Sequence, residues 1–314
     1  MLRYVVKRLL LLIPVLLSVA ILIFTIMYFV PGDPAQIKLG PTATADEIAD
    51  MREIMGLDRP YLVRLSEYLS DVFIHFDFGT SLISNTPIKA TILERLPRTL
   101  LINLVSIFFG SIVGTALGIF AALKQNKWGD TVSMIIALVG VSMPGFWFAL
   151  MLILLFSVKL NWLPSFGIGG IKYYILPWIA ASMNMIAILA RQARSSMLEV
   201  IRSDYIKTAR AKGVSRRAVI MKHALPNAMI PILTVIGSSL GTAVGGNLIV
   251  ESVFSIPGLG LFMINSINNR DYPGIQASVL FTSMCVTVMM LLVDLMYAAI
   301  DPRIRASFAS GKKR

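Results

Sequence analysis

The chain of 314 residues has one cysteine, two histidines and few charges, with Asp, Glu, Lys and Arg making up only 15% of it. Each scarcity removes a class of protein. A lone Cys285 excludes an intramolecular disulfide. His75 and His223 stand far apart along the chain, which speaks against a His/Cys metal site. No G-x-x-x-x-G-K-[ST] loop is present to cradle a nucleotide phosphate. "DFG" at 77–79 lacks the glycine-rich loop, the HRD-like loop and the paired lysine of a kinase, so it is coincidental. The shortage of charge goes with 56% hydrophobic residues, above the roughly one half usual in soluble domains. This is the composition of an all-α integral membrane protein.

Six apolar stretches support that class: 9–30, 100–123, 131–158, 173–190, 228–250 and 273–300, the first five without charge. Each has about the 20 residues that a helix rising 1.5 Å per residue needs to cross a ~30 Å hydrocarbon core. The first follows "MLRYVVKR"; its apolar run is longer than that of a signal peptide and no small-residue cleavage site follows, so it is expected to remain as a span. Arg3, Lys7 and Arg8 place residues 1–8 in the cytoplasm by the positive-inside rule, and six crossings return the tail 301–314 to the same side. This topology puts 19 of the 29 Lys and Arg residues inside. The formal charge of +12 is therefore explained by anionic membrane lipids and does not imply nucleic acid.

The largest segment outside the spans, 31–96, is expected to be a partly helical extracytoplasmic insertion between the first and second spans. Thr44 with Glu47 forms a capping box, Ile48, Met51, Ile54 and Met55 share one face, and Gly56 stops the helix. A second helix is expected from Pro60. Gly110, Gly114 and Gly118, and again Gly237, Gly241 and Gly245, recur every four residues, so each set lines one helix face where another helix can approach closely. The neighbouring Ser238, Ser239, Thr242 and Asn247 are candidates for lining an aqueous path. Pro144 removes a backbone donor inside the third span and should bend it. Asp294 is the one ionisable group within a span; lying near its cytoplasmic end, it suits a structural role. A proton-coupled carrier would need more intramembrane carboxylates, and an intramembrane hydrolase a Ser/His or Asp/Asp pair at membrane depth.

Between the fourth and fifth stretches, within 191–227, lies the polar, basic segment "RSDYIKTARAKGVSRRAVIMKHALPN". Ser203 and Asp204 can cap a helix reaching Lys212, Gly213 permits the left-handed turn that ends it, Ser215 can cap a second helix and Pro226 is expected to close that one. A lipid-touching face explains the Lys and Arg residues. It does not explain Ala209, Ala211 and Gly213 interleaved with Tyr205, Ile206 and Val214, a pattern suited to a short helix entering a groove on another protein. A tethered loop this short cannot bury the core of a DNA-binding helix pair.

At these residues the chain resembles the membrane subunits of binding-protein-dependent ABC importers, in the peptide and nickel branch. Their loop signature, Glu-Ala-Ala followed by Gly and Leu-Pro, is matched in spacing by Lys207, Thr208, Ala209, Gly213, Leu225 and Pro226. "VPGDP", "FDFGTS", "GVSMPGFW", "ESVFSIPGLG", "NRDYPGIQ" and "DPRIR" extend the resemblance over nearly the whole chain. It implies a six-helix type I permease core at 97–300, in a prokaryotic cytoplasmic membrane, forming half of a pathway for di- or oligopeptides, with nickel or a metal chelate as the alternative cargo. Implied partners are a homologous second permease subunit, two cytoplasmic ATPases that hold the ATP and Mg, and an external substrate-binding protein. No cofactor and no catalysis belong to this chain. The resemblance further implies a coupling helix carried by Asp204, Tyr205, Ile206, Lys207, Ala209, Arg210, Gly213, Leu225 and Pro226, and an external gate at Glu251, Phe254, Pro257 and Gly258.

Overall fold

The computed structural model describes residues 2–300, with side chains at 10–243 and 245–295. The tail 301–314, with its "DPRIR", lies outside the described residues. Among the described residues the fold is helical, with one isolated bridge between Thr80 and Pro87. The helices are α1 (Leu2–Phe29), α2 (Pro34–Leu39), α3 (Ala45–Ile54), α4 (Tyr61–Ser70), α5 (Ile88–Leu123), α6 (Trp128–Ser142), α7 (Gly145–Leu152), α8 (Lys172–Ile201), α9 (Asp204–Ala211), α10 (Arg216–Ala218), α11 (Leu225–Thr242), α12 (Leu248–Val253), α13 (Leu259–Asn268) and α14 (Tyr272–Ile300). Wider π-helical turns continue α4 through Asp71–His75, α7 through Ile153–Lys159 and α10 through Val219–Ala224. Five helices are long and apolar enough to cross a membrane, and six if the pair 128–142 and 145–159, bent by 106°, forms one span. The bend falls at Pro144, as its missing donor requires.

The chain divides into two compact units: residues up to Thr99 with Val244–Ser252 and those from Pro257 onward, and Leu100–Ala243 with Val253–Ile256. In the first unit α1 packs along α14. Met27, Leu82, Tyr272 and Ile275 form a buried cluster near the Phe29 end of α1. Asp271, 3% exposed, accepts hydrogen bonds from the Ser81 hydroxyl (2.6 Å) and the Leu82 amide (3.0 Å). That carboxylate therefore ties "FDFGTS" to "NRDYPG" across nearly two hundred residues of sequence. The expected capping box is present, with Thr44 and Glu47 satisfying each other's backbone amides, and Gly56 follows the helix at φ +64°. Ile54 departs from the expected apolar face: it is 77% exposed, whereas Ile48, Met51 and Met55 are partly covered.

In the second unit α8 is the hub. The glycine face of α5 lies against it so closely that a Cβ at Gly114 would sit 2.9 Å from the Ile186 Cα, and one at Gly118 would meet the Ala190 carbonyl. The stripe thus packs helix on helix. On another side α6 meets α8 through Ala137 against Ala187 and Ala190, and through a bidentate ion pair in which Arg194 donates to both oxygens of the buried Asp130 (2.6 and 2.7 Å). On a third, Ile232 of α11 packs with Met185, Leu189 and Ala193.

Pro226 does not end a helix. Residues 216–242 run as one helix, with Pro226 in the first turn of α11 just after the π turn. A proline is tolerated where a first-turn amide would lack an intrahelical partner, and the change from π to α register creates such a position.

Replacing Gly118 by Val should cost about 1–3 kcal/mol or prevent assembly, because a side chain there meets backbone that cannot rotate away. Gly145→Ala, where a Cβ meets nothing within 4 Å, should leave the melting temperature in detergent within error of the parent. Equal melting of both variants would refute the close-contact account.

Candidate functional site

The basic segment folds as a helix, a glycine turn and a second helix. Ser203 is extended, but its hydroxyl turns back to the Val200 carbonyl (2.6 Å) and does not cap α9. Asp204 instead occupies the first turn, where a negative charge favours the helix dipole, and pairs with Lys207 (2.8 Å). Gly213 adopts φ +81° with open space around it, so glycine is needed for the backbone conformation and not for packing. Val214 then donates back to the Ala209 carbonyl. Ser215 caps α10 by accepting from the Ala218 amide.

The two faces of α9 differ sharply. Ile206 is fully buried among Met197, Val219, Ala224 and Ala228, and Ala209 and Leu225 pack on the same cluster. Asp204, Tyr205, Lys207, Thr208, Arg210, Ala211 and Gly213 are exposed, and Pro226 is exposed on the helix that follows. Of the nine residues singled out in this segment, Ile206, Ala209 and Leu225 therefore bind the helix to its own chain. The other six face outward. They present one half-exposed aromatic ring, Tyr205, beside Lys207 and Arg210.

"ESVFSIPGLG" builds a second arrangement around Glu251, which is fully buried. Its carboxylate accepts from the Thr99 hydroxyl (2.8 Å) and the Leu261 amide (3.0 Å), and the Thr99 oxygen accepts in turn from the Leu259 amide (2.8 Å). A Cβ at Gly258 would collide with the Glu251 carboxylate and the Thr99 hydroxyl, so only glycine lets this strand of backbone close over the acid. Burial pushes the Glu251 carboxyl above the ordinary carboxylate range, partly offset by the hydrogen bond from Thr99 and by backbone amides. Arg98 donates to the Pro257 carbonyl (3.3 Å). Glu251, Pro257 and Gly258 thus come together in the first unit. Phe254, 1% exposed, belongs to the second, where its carbonyl accepts from the Gly167 amide (3.0 Å).

The polar residues near the second glycine stripe spend their side chains locally. Ser238 and Ser239 donate to the carbonyls of Thr234 and Val235, Thr242 donates to that of Ser239, and Asn247 accepts from the Val250 amide at the start of α12. Ser238 and Thr242 are nevertheless exposed, each one residue on from a buried glycine, Gly237 and Gly241.

Sequence reasoning missed Thr99, Asp130 with Arg194, and Ser81 with Asp271. A signal existed for the ion pair, since Asp130 and Arg194 each flank an apolar stretch and must find partners near the membrane. Nothing local marked Thr99, which acquires its role only through contact with residues 152 and 160 positions away.

Residues 114–306 match the family model described as binding-protein-dependent transport system inner membrane component, and residues 1–103 match the model of its N-terminal part. The chain is 45% identical over 305 residues to the glutathione transport system permease protein GsiC of Salmonella choleraesuis, covering 97% of this chain and 99% of that protein. It is 45% identical over 333 residues to the dipeptide transport system permease protein DppB of Alkalihalophilus pseudofirmus, covering 97% of this chain and all of that protein. Among solved structures, the inward-facing methionine ABC transporter MetNI aligns with a TM-score of 0.53 at 22% identity, covering 70% of this chain and 97% of that chain. An amino acid ABC transporter solved with histidines gives 0.52 at 19%, covering 68% and 94%. These two likenesses establish the fold, that of type I importer permeases.

Because the folded chain holds the Glu251 proton to a higher pH than the unfolded chain does, raising pH through that window favours unfolding. Glu251→Gln removes this dependence. On passing from about pH 4 to about pH 7, the melting temperature of the parent should fall relative to that of the variant, as followed by thermal denaturation in detergent. A constant difference between the two would overturn the assignment.

Proposed function

This chain belongs to the binding-protein-dependent transport-system inner membrane components, and on that premise we propose that it forms half of an ATP-driven import pathway for short peptides. Members of the family are transport subunits and not enzymes. The observation that carries the peptide reading is the 45% identity, over essentially the whole chain, to permeases named for glutathione and dipeptide transport. The remaining parts follow from how such a pathway must be powered. A homologous second permease completes it, two ATPases hold the ATP and Mg on the cytoplasmic side, and an external binding protein delivers cargo. Positive charge on 1–8 and in the loop 191–227 supports cytoplasmic termini and a cytoplasmic α9.

In this reading α9 is the coupling helix. Tyr205, Lys207 and Arg210 enter a cleft of the ATPase, while Ile206 and Ala209 transmit its motion to the chain's own helices. Glu251 and Gly258 fix the loop that serves as external gate. Exposed Ser238 and Thr242 face the pathway, where hydroxyls already bonded to backbone carbonyls can still accept from a passing amide.

Reconstitution of the four-subunit assembly with its binding protein and a labelled peptide tests the function. ATP-dependent accumulation is expected, and uphill transport by this chain alone without nucleotide would refute it. For α9, Tyr205→Ala and Gly213→Val should lower peptide uptake at least about tenfold, with protein level and melting temperature retained for Tyr205→Ala, since an anchoring aromatic of that kind contributes about 1–3 kcal/mol. Ile206→Ala should instead cost about 2–5 kcal/mol of stability, as expected for a buried aliphatic side chain. Normal coupling in Tyr205→Ala would count against the outward face as the docking surface.

A further inference from the structure

The segment after α3 does not stay at the membrane surface. Tyr61 bonds Thr25 through its hydroxyl (2.7 Å) and packs edge-on against Tyr28, Tyr68 stacks on Phe24 at 5.3 Å, and Val72 is buried against Ala20 and Leu280. Phe73 and Phe76 then close a small apolar void with Leu16 and Met284. Rising residue numbers on α4 thus meet falling numbers on α1, so α4 and its π turn run antiparallel down α1. Phe76 reverses the chain at φ +53°, Phe78 packs beside Val72 and Leu280, and Leu82 regains the level of Met27 and Tyr272. At 1.5 Å per residue, Ala20 lies about 14 Å from Phe29 and Leu280 about 12 Å from Tyr272, near the middle of a ~30 Å core.

This arm carries unlike edges at that depth. Phe73, Ile74 and Phe76 are exposed and apolar, continuous with the exposed apolar faces of α1. On another edge, a cavity of about 370 Å³ runs from Arg64, beside Tyr28 near the end of α1, down to Asp71 and Asp77, and is lined also by Tyr68, Gln276 and Glu67, the last already paired with Arg59. Charged groups near the bilayer centre are stable only when they are paired or face water. Among the described residues, Asp71 has only His75 beside it at 3.6 Å, and the Asp77 carboxylate accepts only from the Gly79 amide. Arg64 donates to the Leu57 carbonyl (3.1 Å) and lies 5.3 Å from the Tyr28 ring, but forms no ion pair among the described residues. The Tyr68 hydroxyl is enclosed without a hydrogen-bond partner among the described residues. The cavity therefore holds unspent polar groups of both signs.

We propose that this arm is a re-entrant wall of the transport pathway and that its cavity binds a zwitterion, the two free ends of a short peptide. The carboxylate takes Arg64 and the ammonium takes Asp71 and Asp77. Arg64 and Asp71 stand seven residues apart, about 10 Å along a helix, which matches an extended peptide of two or three residues at about 3.5 Å each. The substrate class rests on the peptide-import reading; the site itself rests on geometry.

The test uses the assembled importer in lipid nanodiscs, without binding protein, and labelled trialanine. Saturable binding is expected, weakened at least about tenfold by Arg64→Gln and by Asp71→Asn with Asp77→Asn, and lost for N-acetyl and C-amide trialanine. In a Cys285→Ser background, Asp77→Cys should react with a membrane-impermeant maleimide and be protected by trialanine, while Ile74→Cys should not react. This second measurement holds even if the Arg64 variant fails to assemble. An unreactive Asp77→Cys, a reactive Ile74→Cys, or binding indifferent to these substitutions would overturn the proposal. Trialanine uptake by the parent with its binding protein, run in parallel, separates the two readings: uptake without binding here removes the site and leaves peptide import standing.

Discussion

Close approach of α5 to α8 is the constraint on which the second unit depends. In lipid the hydrophobic effect does not drive helices together, because hydrocarbon tails are as apolar as leucine; contact and shape must do so. Three glycines on successive turns of α5 remove the side chains that would hold the axes apart, and α8 answers with Ala190 and Ala193 at the closest points. With its separation from α5 set, α8 offers remaining faces to α6 and α11. Their contacts follow the same economy, with Ala137 against Ala187 and Ala190, and Ile232 inserted beside Leu189 and Ala193.

Polar groups then fix what shape alone leaves free to slide. Asp130 and Arg194 specify the register of α6 on α8 because a bidentate pair has one good geometry, and shifting either helix by a turn would leave a buried carboxylate unpaired. Asp271 holds the Ser81 turn, and Glu251 with Thr99 holds the loop between α12 and α13. Each is an acid that accepts from groups far away in sequence. In a low-dielectric surrounding such a bond is costly to break one-sidedly, so a few of them suffice.

What could be read from residues alone was local or periodic. The capping box at Thr44, the left-handed Gly213, the bend at Pro144 and the glycine face of α5 each follow from short-range sterics or helical spacing, and each is found. The misreadings concern tertiary context. Pro226 looked like a stop because a proline's cost depends on whether its amide was needed, and that is set by the π turn before it. Ala209 looked like part of an outward small-residue face, but the burial of Ile206 turns it inward. The course of residues 61–78 along α1 was invisible because a segment with several charges gives no long apolar run, and packing is a property of neighbours distant in sequence. Glu251 was noticed for its motif, yet its enclosure depends on Thr99 and Leu261, which no spacing rule connects.

The way α9 is mounted decides how force applied to it can travel. A helix of eight residues is too short to be stable alone in water, so its shape is borrowed from what it packs on. Ile206 sits among Met197 near the end of α8, Val219 and Ala224 in the π turn, and Ala228 at the start of α11, with Ala122 of α5 in the same cluster. A cluster in which Ile206 is fully buried among neighbours from several helices transmits displacement through their direct contacts. Pulling or tilting the exposed face of α9 must therefore shift the ends of α8 and α11 together. The π turn is the compliant part of this joint: its wider register lets the helix from 216 to 242 change direction without breaking, and Pro226 sits where that change of register already leaves an amide position unpaired. For the proposed coupling role, a rigid anchor beside a yielding turn is the arrangement that would convert motion at the surface into reorientation of a span, which a flexible loop of the same composition could not do.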